Sequence, residues 1–179
     1  KCVLIAKKMF SRILHDSQKI ILGAAWLSVA ILLFPQLYGD GYHAMREIFH
    51  YNTMTITLSV SIVFVLILKP IVTSVTLASG GDGGVFAPSL FLGAFLGFLL
   101  AVSMNTFFNA EVIPLNFMVI GMAAMLSASI HAPFTAVFLV CGIVGDYALF
   151  APIVATCLVS KYTAKAVFPH TVYSYSKAQ

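Results

Sequence analysis

The sequence predicts an all-α, polytopic membrane protein built from tilted, broken and partly non-spanning helices, and three observations carry that expectation. First, 60% of the 179 residues are hydrophobic and 9% are charged, whereas a soluble domain carries roughly 25% charged residues. That is too little polar surface to cover a water-facing globule. Second, the charges that exist are separated by charge-free intervals at 20–39, 48–68, 83–110, 112–145 and 147–160, which hold most of the chain. Third, Pro88, Pro133 and Pro152 fall near the start of apolar pieces, where a missing N–H costs little. No strand-like alternation of useful length competes with helices.

Residues 1–19 hold half of the basic side chains (Lys1, Lys7, Lys8, Arg12 and Lys19) beside helix-spaced Val3, Met9, Phe10, Ile13 and Leu14. They read as a basic amphipathic N-terminal end, because charge occupies the place of a signal peptide's apolar core. Basic residues clustered before the first apolar run serve topology rather than nucleic-acid binding. With Lys161, Lys165 and Lys177 at the other end, they predict both termini on the cytoplasmic face. A helix needs roughly 20 apolar residues to cross the hydrocarbon, so 20–35, 48–68 and 85–108 span it or nearly so. The loop 36–46, with Arg46 as its one basic residue, fits the opposite face.

The next interval is cut by His131-Ala132-Pro133 into pieces at 115–130 and 133–144. These pieces, and 147–160 after them, are too short to cross. Residues 1–179 are expected to form a single transmembrane domain. Irregular backbone at membrane depth persists only where protein buries it or where it lines a watery cavity. Short segments interrupted by Gly or Pro therefore point to a transporter's binding site.

Chemistry of other kinds is poorly supported. Cys2, Cys141 and Cys157 are an odd number at wide spacing, and His15, His43, His50, His131 and His170 show no ligand pattern, so neither a disulfide framework nor a metal site is expected. An intramembrane aspartyl protease needs paired aspartates in Tyr-Asp and Gly-x-Gly-Asp patterns, which Asp40 and Asp146 do not provide. No enzymatic activity and no cofactor are expected.

The sharpest local feature is Ser79-Gly80-Gly81-Asp82-Gly83-Gly84-Val85-Phe86-Ala87-Pro88, followed by an uncharged segment with Gly93, Ala94 and Gly97. A Walker loop would end in Gly-Lys-Ser/Thr, and this one continues Gly-Gly-Val-Phe. Two readings stay open on spacing alone. In one, the glycines let the chain turn sharply and the N–H groups of Val85 and Phe86, at the positive end of a helix, face a bound anion; Asp82 then points away. In the other, the turn only permits close helix packing through the small Gly93, Ala94 and Gly97 face.

The run from Gly80 to Ala94 closely resembles the GGxFxP signature of the CLC family of chloride channels and chloride/proton antiporters. Gly121-Met122-Ala123-Ala124-Met125-Leu126, His131-Ala132-Pro133-Phe134-Thr135-Ala136 and Gly145-Asp146-Tyr147 resemble its GMAA, APLTA and GDY stretches in the same order. Lys69 and Gly39-Asp40-Gly41-Tyr42 also fit. The resemblance covers essentially the whole chain, which corresponds to the second half of a CLC subunit; the first half of the inverted repeat is absent.

The resemblance implies that the backbone N–H groups of Val85 and Phe86 coordinate the anion, with Gly81, Gly83 and Gly84 forming the turn that presents them. It aligns Tyr173 with the family's central tyrosine, whose hydroxyl donates to the ion; composition alone favours an interfacial tyrosine beside Lys177, and the ungapped distance from Ala132-Pro133 to Tyr173 favours the pore. The implied function is transport of chloride, or another small monovalent anion, as part of a channel or chloride/proton antiporter. The alternative is a non-conducting structural or assembly half-subunit. The gating and proton-transfer glutamates of the family belong to the missing half. Chloride as bound substrate, the lipid bilayer, a complementary first half and a second copy in a homodimer are the implied partners, with no nucleic acid. The implied location is the bacterial inner membrane, as a multi-pass protein.

Two departures stand out. Gly142-Ile143-Val144 replaces the family's Glu-x-Thr, on helices through which its subunits dimerise, and His131 stands where Arg is common. His131 reads first as a helix-start or interfacial histidine and only weakly as a proton carrier.

Overall fold

The computed structural model describes residues 16–33, 56–80, 86–169 and, singly, 6 and 171. Among these it is helical, with no strand. Six helices are described: α1 Asp16–Leu33, α2 Ile56–Ala78, α3 Phe86–Phe108, α4 Pro114–Ile130, α5 Pro133–Val144 and α6 Phe150–Val167. The chain divides into two compact units, 1–84 and 85–179.

In the first unit α1 packs on α2, and the contact is close at one point. A Cβ on buried Gly23 would overlap the Ser79 side chain. The outward residues of α1, such as Ile21, Trp26, Leu32 and Leu33, are exposed and apolar. Hydroxyl groups in these apolar helices are satisfied locally: Ser28 donates to the Ala24 carbonyl at 2.8 Å, Thr73 to Lys69 at 2.9 Å and Thr76 to Val72 at 3.0 Å. That back-bonding lets serine and threonine sit in a segment without water.

In the second unit α4 is central and packs against α3, α5 and α6. Phe91, Leu126, Val137, Val140 and Ile153 are essentially fully buried around it. Two serines on opposite helices stitch α4 to α6: Ser127 Oγ donates to the Cys157 carbonyl and Ser160 Oγ to the Ala124 carbonyl, both at 2.7 Å. The α3–α4 reversal is closed by Asn105, whose Nδ2 donates to the Val112 carbonyl at 2.9 Å while its Oδ1 accepts from the Val112 N–H at 2.8 Å. Asn109 and Glu111 within that reversal both take left-handed backbone, φ 47° and 48°.

The broken-helix expectation is met at the predicted place. α4 ends at a left-handed His131 (φ 56°), whose N–H donates to the Ser127 carbonyl at 2.9 Å, and α5 restarts on Pro133 after Ala132. At 1.5 Å per residue, the 12 residues of α5 rise roughly 18 Å, well short of the ~30 Å hydrocarbon core. The 23 residues of α3 rise roughly 35 Å. Among the described residues, Phe86–Phe108 is the one helix whose length and apolarity suit a crossing.

Three boundaries differ from the charge-based expectation. The segment expected at 48–68 is seen as a helix from Ile56 that runs on through Lys69 and Pro70 to Ala78. Lys69 ended the neutral interval without ending the helix, because its side chain is buried, 5% exposed. The segment expected at 147–160 continues through Lys161 to Val167, where Lys165 in the last turn complements the negative helix end. The first segment already includes Asp16 to Lys19 in its helix, ahead of the expected residue 20.

Candidate functional site

α3 supplies the element on which the anion reading depends. The glycine run that precedes it starts at Gly80, whose φ of 95° is open to glycine and disfavoured for a side chain. Phe86 is the first residue of α3, half-buried, and Ala87 and Pro88 behind it are half-buried as well. Val85, Gly81, Gly83, Gly84 and Tyr173 lie outside the described residues. The first amides of a helix find no acceptor within that helix; at the start of α3 these belong to Phe86 and Ala87, since Pro88 carries no N–H. No acidic residue stands in that turn to neutralise the positive end of the helix dipole.

Close backbone packing holds α3 in place. A Cβ on Gly93 would overlap the Gly121 carbonyl, one on Gly97 the Phe117 carbonyl, and one on Gly121 the Gly93 carbonyl. Glycine at all three positions lets α3 and α4 approach backbone to backbone. The small face at Gly93 and Gly97, one of the two readings of this sequence, is therefore realised as a helix contact. It lies deeper in α3 than the first turn.

Three other helix starts lack a side-chain cap. The N-caps of α4, α5 and α6 (Ile113, Ala132 and Leu149) make no side-chain capping bond, and Pro114 and Pro133 occupy the first turn of α4 and α5. Proline at N1 removes a donor that an uncapped start leaves open.

The remaining singled-out residues resolve into structural positions. His131 closes α4 in the left-handed conformation that His adopts more readily than most side chains. Asp146 is exposed and caps the α5–α6 turn, its Oδ1 accepting from the Ala148 N–H at 2.9 Å. Glu111 is exposed in the α3–α4 reversal. Gly142 has open space where a Cβ would lie. Cys141 and Cys157 are buried free thiols, and no group of three or more potential metal ligands occurs among the described residues.

Sequence reasoning passed over the polar residues inside the neutral helices. Ser89 Oγ lies 3.0 Å from Ser129 Oγ, and Ser129 Oγ donates to the Met125 carbonyl at 2.8 Å. A usable signal was present: Ser89, Gly93 and Gly97 recur every four residues, the spacing of one helix face.

Comparison with known proteins bears on all of this. The sequence profile described as voltage gated chloride channel matches residues 1–165. A ClcB-like chloride channel protein of Ralstonia nicotianae is 29% identical over 176 residues, covering 97% of this chain and 40% of its own length. The voltage-gated ClC-type chloride channel ClcB of Escherichia coli is 26% identical over 162 residues, covering 90% of this chain and 38% of its own length. The chain thus spans about two-fifths of the length of the curated relatives it matches. With a glycine run ahead of a neutral helix, a helix break at His131 and a profile match over residues 1–165, the chain, helical among its described residues, belongs to the voltage gated chloride channel family.

Proposed function

We propose that this chain forms the second half of the transmembrane subunit of a chloride-transporting protein and carries one wall of its anion pathway. The observation that carries this reading is α3, which opens on Phe86 directly after the glycine run and has no charged residue from end to end. The N–H groups of Val85 and Phe86, presented by the turn at Gly81, Gly83 and Gly84, and the hydroxyl of Tyr173 bind the anion. Partial charges suit transport, because a bound ion must also leave. No Lys or Arg occurs from 70 to 160, so the described helices of the second unit contribute no full positive charge until Lys161. Transport is passive in a channel or coupled to protons in an antiporter, the proton-handling carboxylates lying in the complementary half. The protein sits in the bacterial inner membrane with both termini cytoplasmic, as a homodimer.

The test is chloride efflux from liposomes containing the purified chain alone or together with a complementary first half from a relative, paired with chloride titration by calorimetry. Efflux in either preparation supports transport, and efflux that needs the second component identifies an obligate half. Chloride binding without efflux in both identifies the non-conducting assembly role. Absence of binding and of efflux in both overturns the reading. Tyr173→Ala is expected to weaken chloride binding about tenfold or more, since a hydrogen bond to a charged group contributes about 1.5–3 kcal/mol, with helical content retained. Unchanged affinity in that variant removes Tyr173 from the site.

A further inference from the structure

The glycine contacts fix the register of α3 against α4. Gly97 meets Phe117 and Gly93 meets Gly121, so four residues back along α3 correspond to four forward along α4, and the two helices run antiparallel. The next step brings Ser89 to the turn of α4 that holds Met125 and Ser129. There the two hydroxyl oxygens lie 3.0 Å apart, and Ser129 is itself bonded to the Met125 carbonyl at 2.8 Å. Ser89 is 3% exposed and lies three residues after Phe86, on the first turn of α3.

We infer that Ser89 is a positioning residue that sets the aim of the anion-binding amides by locking the first turn of α3 to the last turn of α4 through Ser129. This rests on the anion-binding role proposed above for that turn. The glycine contacts settle how near the two helices lie, but two smooth backbones leave rotation about the helix axis loosely specified. A hydroxyl pair specifies it, because any roll or slide of α3 takes the buried Ser89 hydroxyl away from its Ser129 partner. Alanine at both positions would fill nearly the same volume and carry no such direction. Ser89 acts through geometry: the amides of the turn contact the ion, and the serine decides where they point.

The experiment uses the full chain with Ser89→Ala, Ser129→Ala, the double variant and Ser89→Thr, read by amide hydrogen exchange over residues 90–93 and by chloride titration. Those amides bond back to the first turn and report its fraying. Each alanine variant is expected to speed exchange there and to weaken chloride binding about threefold, the scale of one interhelical hydrogen bond in a membrane. The double variant is expected to be no weaker than the singles, since both remove the same contact, and Ser89→Thr keeps the hydroxyl and restores binding. Chloride binding that is absent from the unsubstituted chain, both alone and with the complementary first half, overturns the functional reading and this inference with it. Normal binding there, with exchange or affinity unchanged in Ser89→Ala, or with additive losses in the double variant, overturns the inference alone.

Discussion

Asn105 shows what single polar side chains do in this chain. Its amide makes both of the bonds that a neighbouring peptide group would make to Val112, and so closes a reversal in which Asn109 and Glu111 sit in left-handed backbone. Asn105→Ala leaves both Val112 groups to find other partners, and a loss of about 1–3 kcal/mol follows, measurable as a lowered unfolding midpoint in detergent. Ser127→Ala and Ser160→Ala each remove one cross-helix bond between α4 and α6 and are expected to cost about 0.6 kcal/mol apiece. His131 holds a backbone role at the α4 end, so His131→Ala is expected to leave the pH profile of chloride flux unchanged; a shifted profile would restore it as a proton carrier. The cross-helix bonds of Ser127 and Ser160 were not legible in the sequence, because a hydroxyl in a neutral segment looks alike whether it bonds its own helix, as Thr73 does, or a neighbour, as Ser127 does.

Among the helices, the contact of α3 with α4 is the most demanding. Gly121→Val would place side-chain atoms on the Gly93 carbonyl, and overpacking of this kind costs about 1–3 kcal/mol or more. Gly142→Ala is the matching control, since nothing stands within 4 Å of the added atom. It is expected to raise stability by up to about 1 kcal/mol through helix propensity alone, and thermal unfolding of the two variants side by side checks both. Helix positions were largely readable because charge and proline are coarse markers: the break at 131–132 and the pieces on either side fall where His131-Ala132-Pro133 places them. The marker failed at Lys69 and Lys161, where the helix continues past a cation that is buried in one case and stands near the helix end in the other.

For the molecule as a whole, residues 70–160 are neutral apart from Asp82, Glu111 and Asp146; the proposed anion role then rests on dipoles, and a single added charge is its direct probe. Phe86→Lys at the head of α3 is expected to slow chloride efflux while tightening binding, because a full charge holds the ion that a partial charge releases; efflux and calorimetry on the same preparation check it. The all-helical architecture was legible from composition. The glycine run before a neutral helix was legible as a local pattern, while the orientation of that helix depends on contacts between residues 20 to 40 positions apart, which no local pattern records. The glycine seam adds a constraint on how the protein can change over time. Glycine is the smallest side chain available, so mutation at Gly93, Gly97 or Gly121 is able only to widen the gap between α3 and α4. The spacing is a one-sided gauge, with drift permitted in neither direction: narrower is chemically out of reach, and wider moves the mouth of α3.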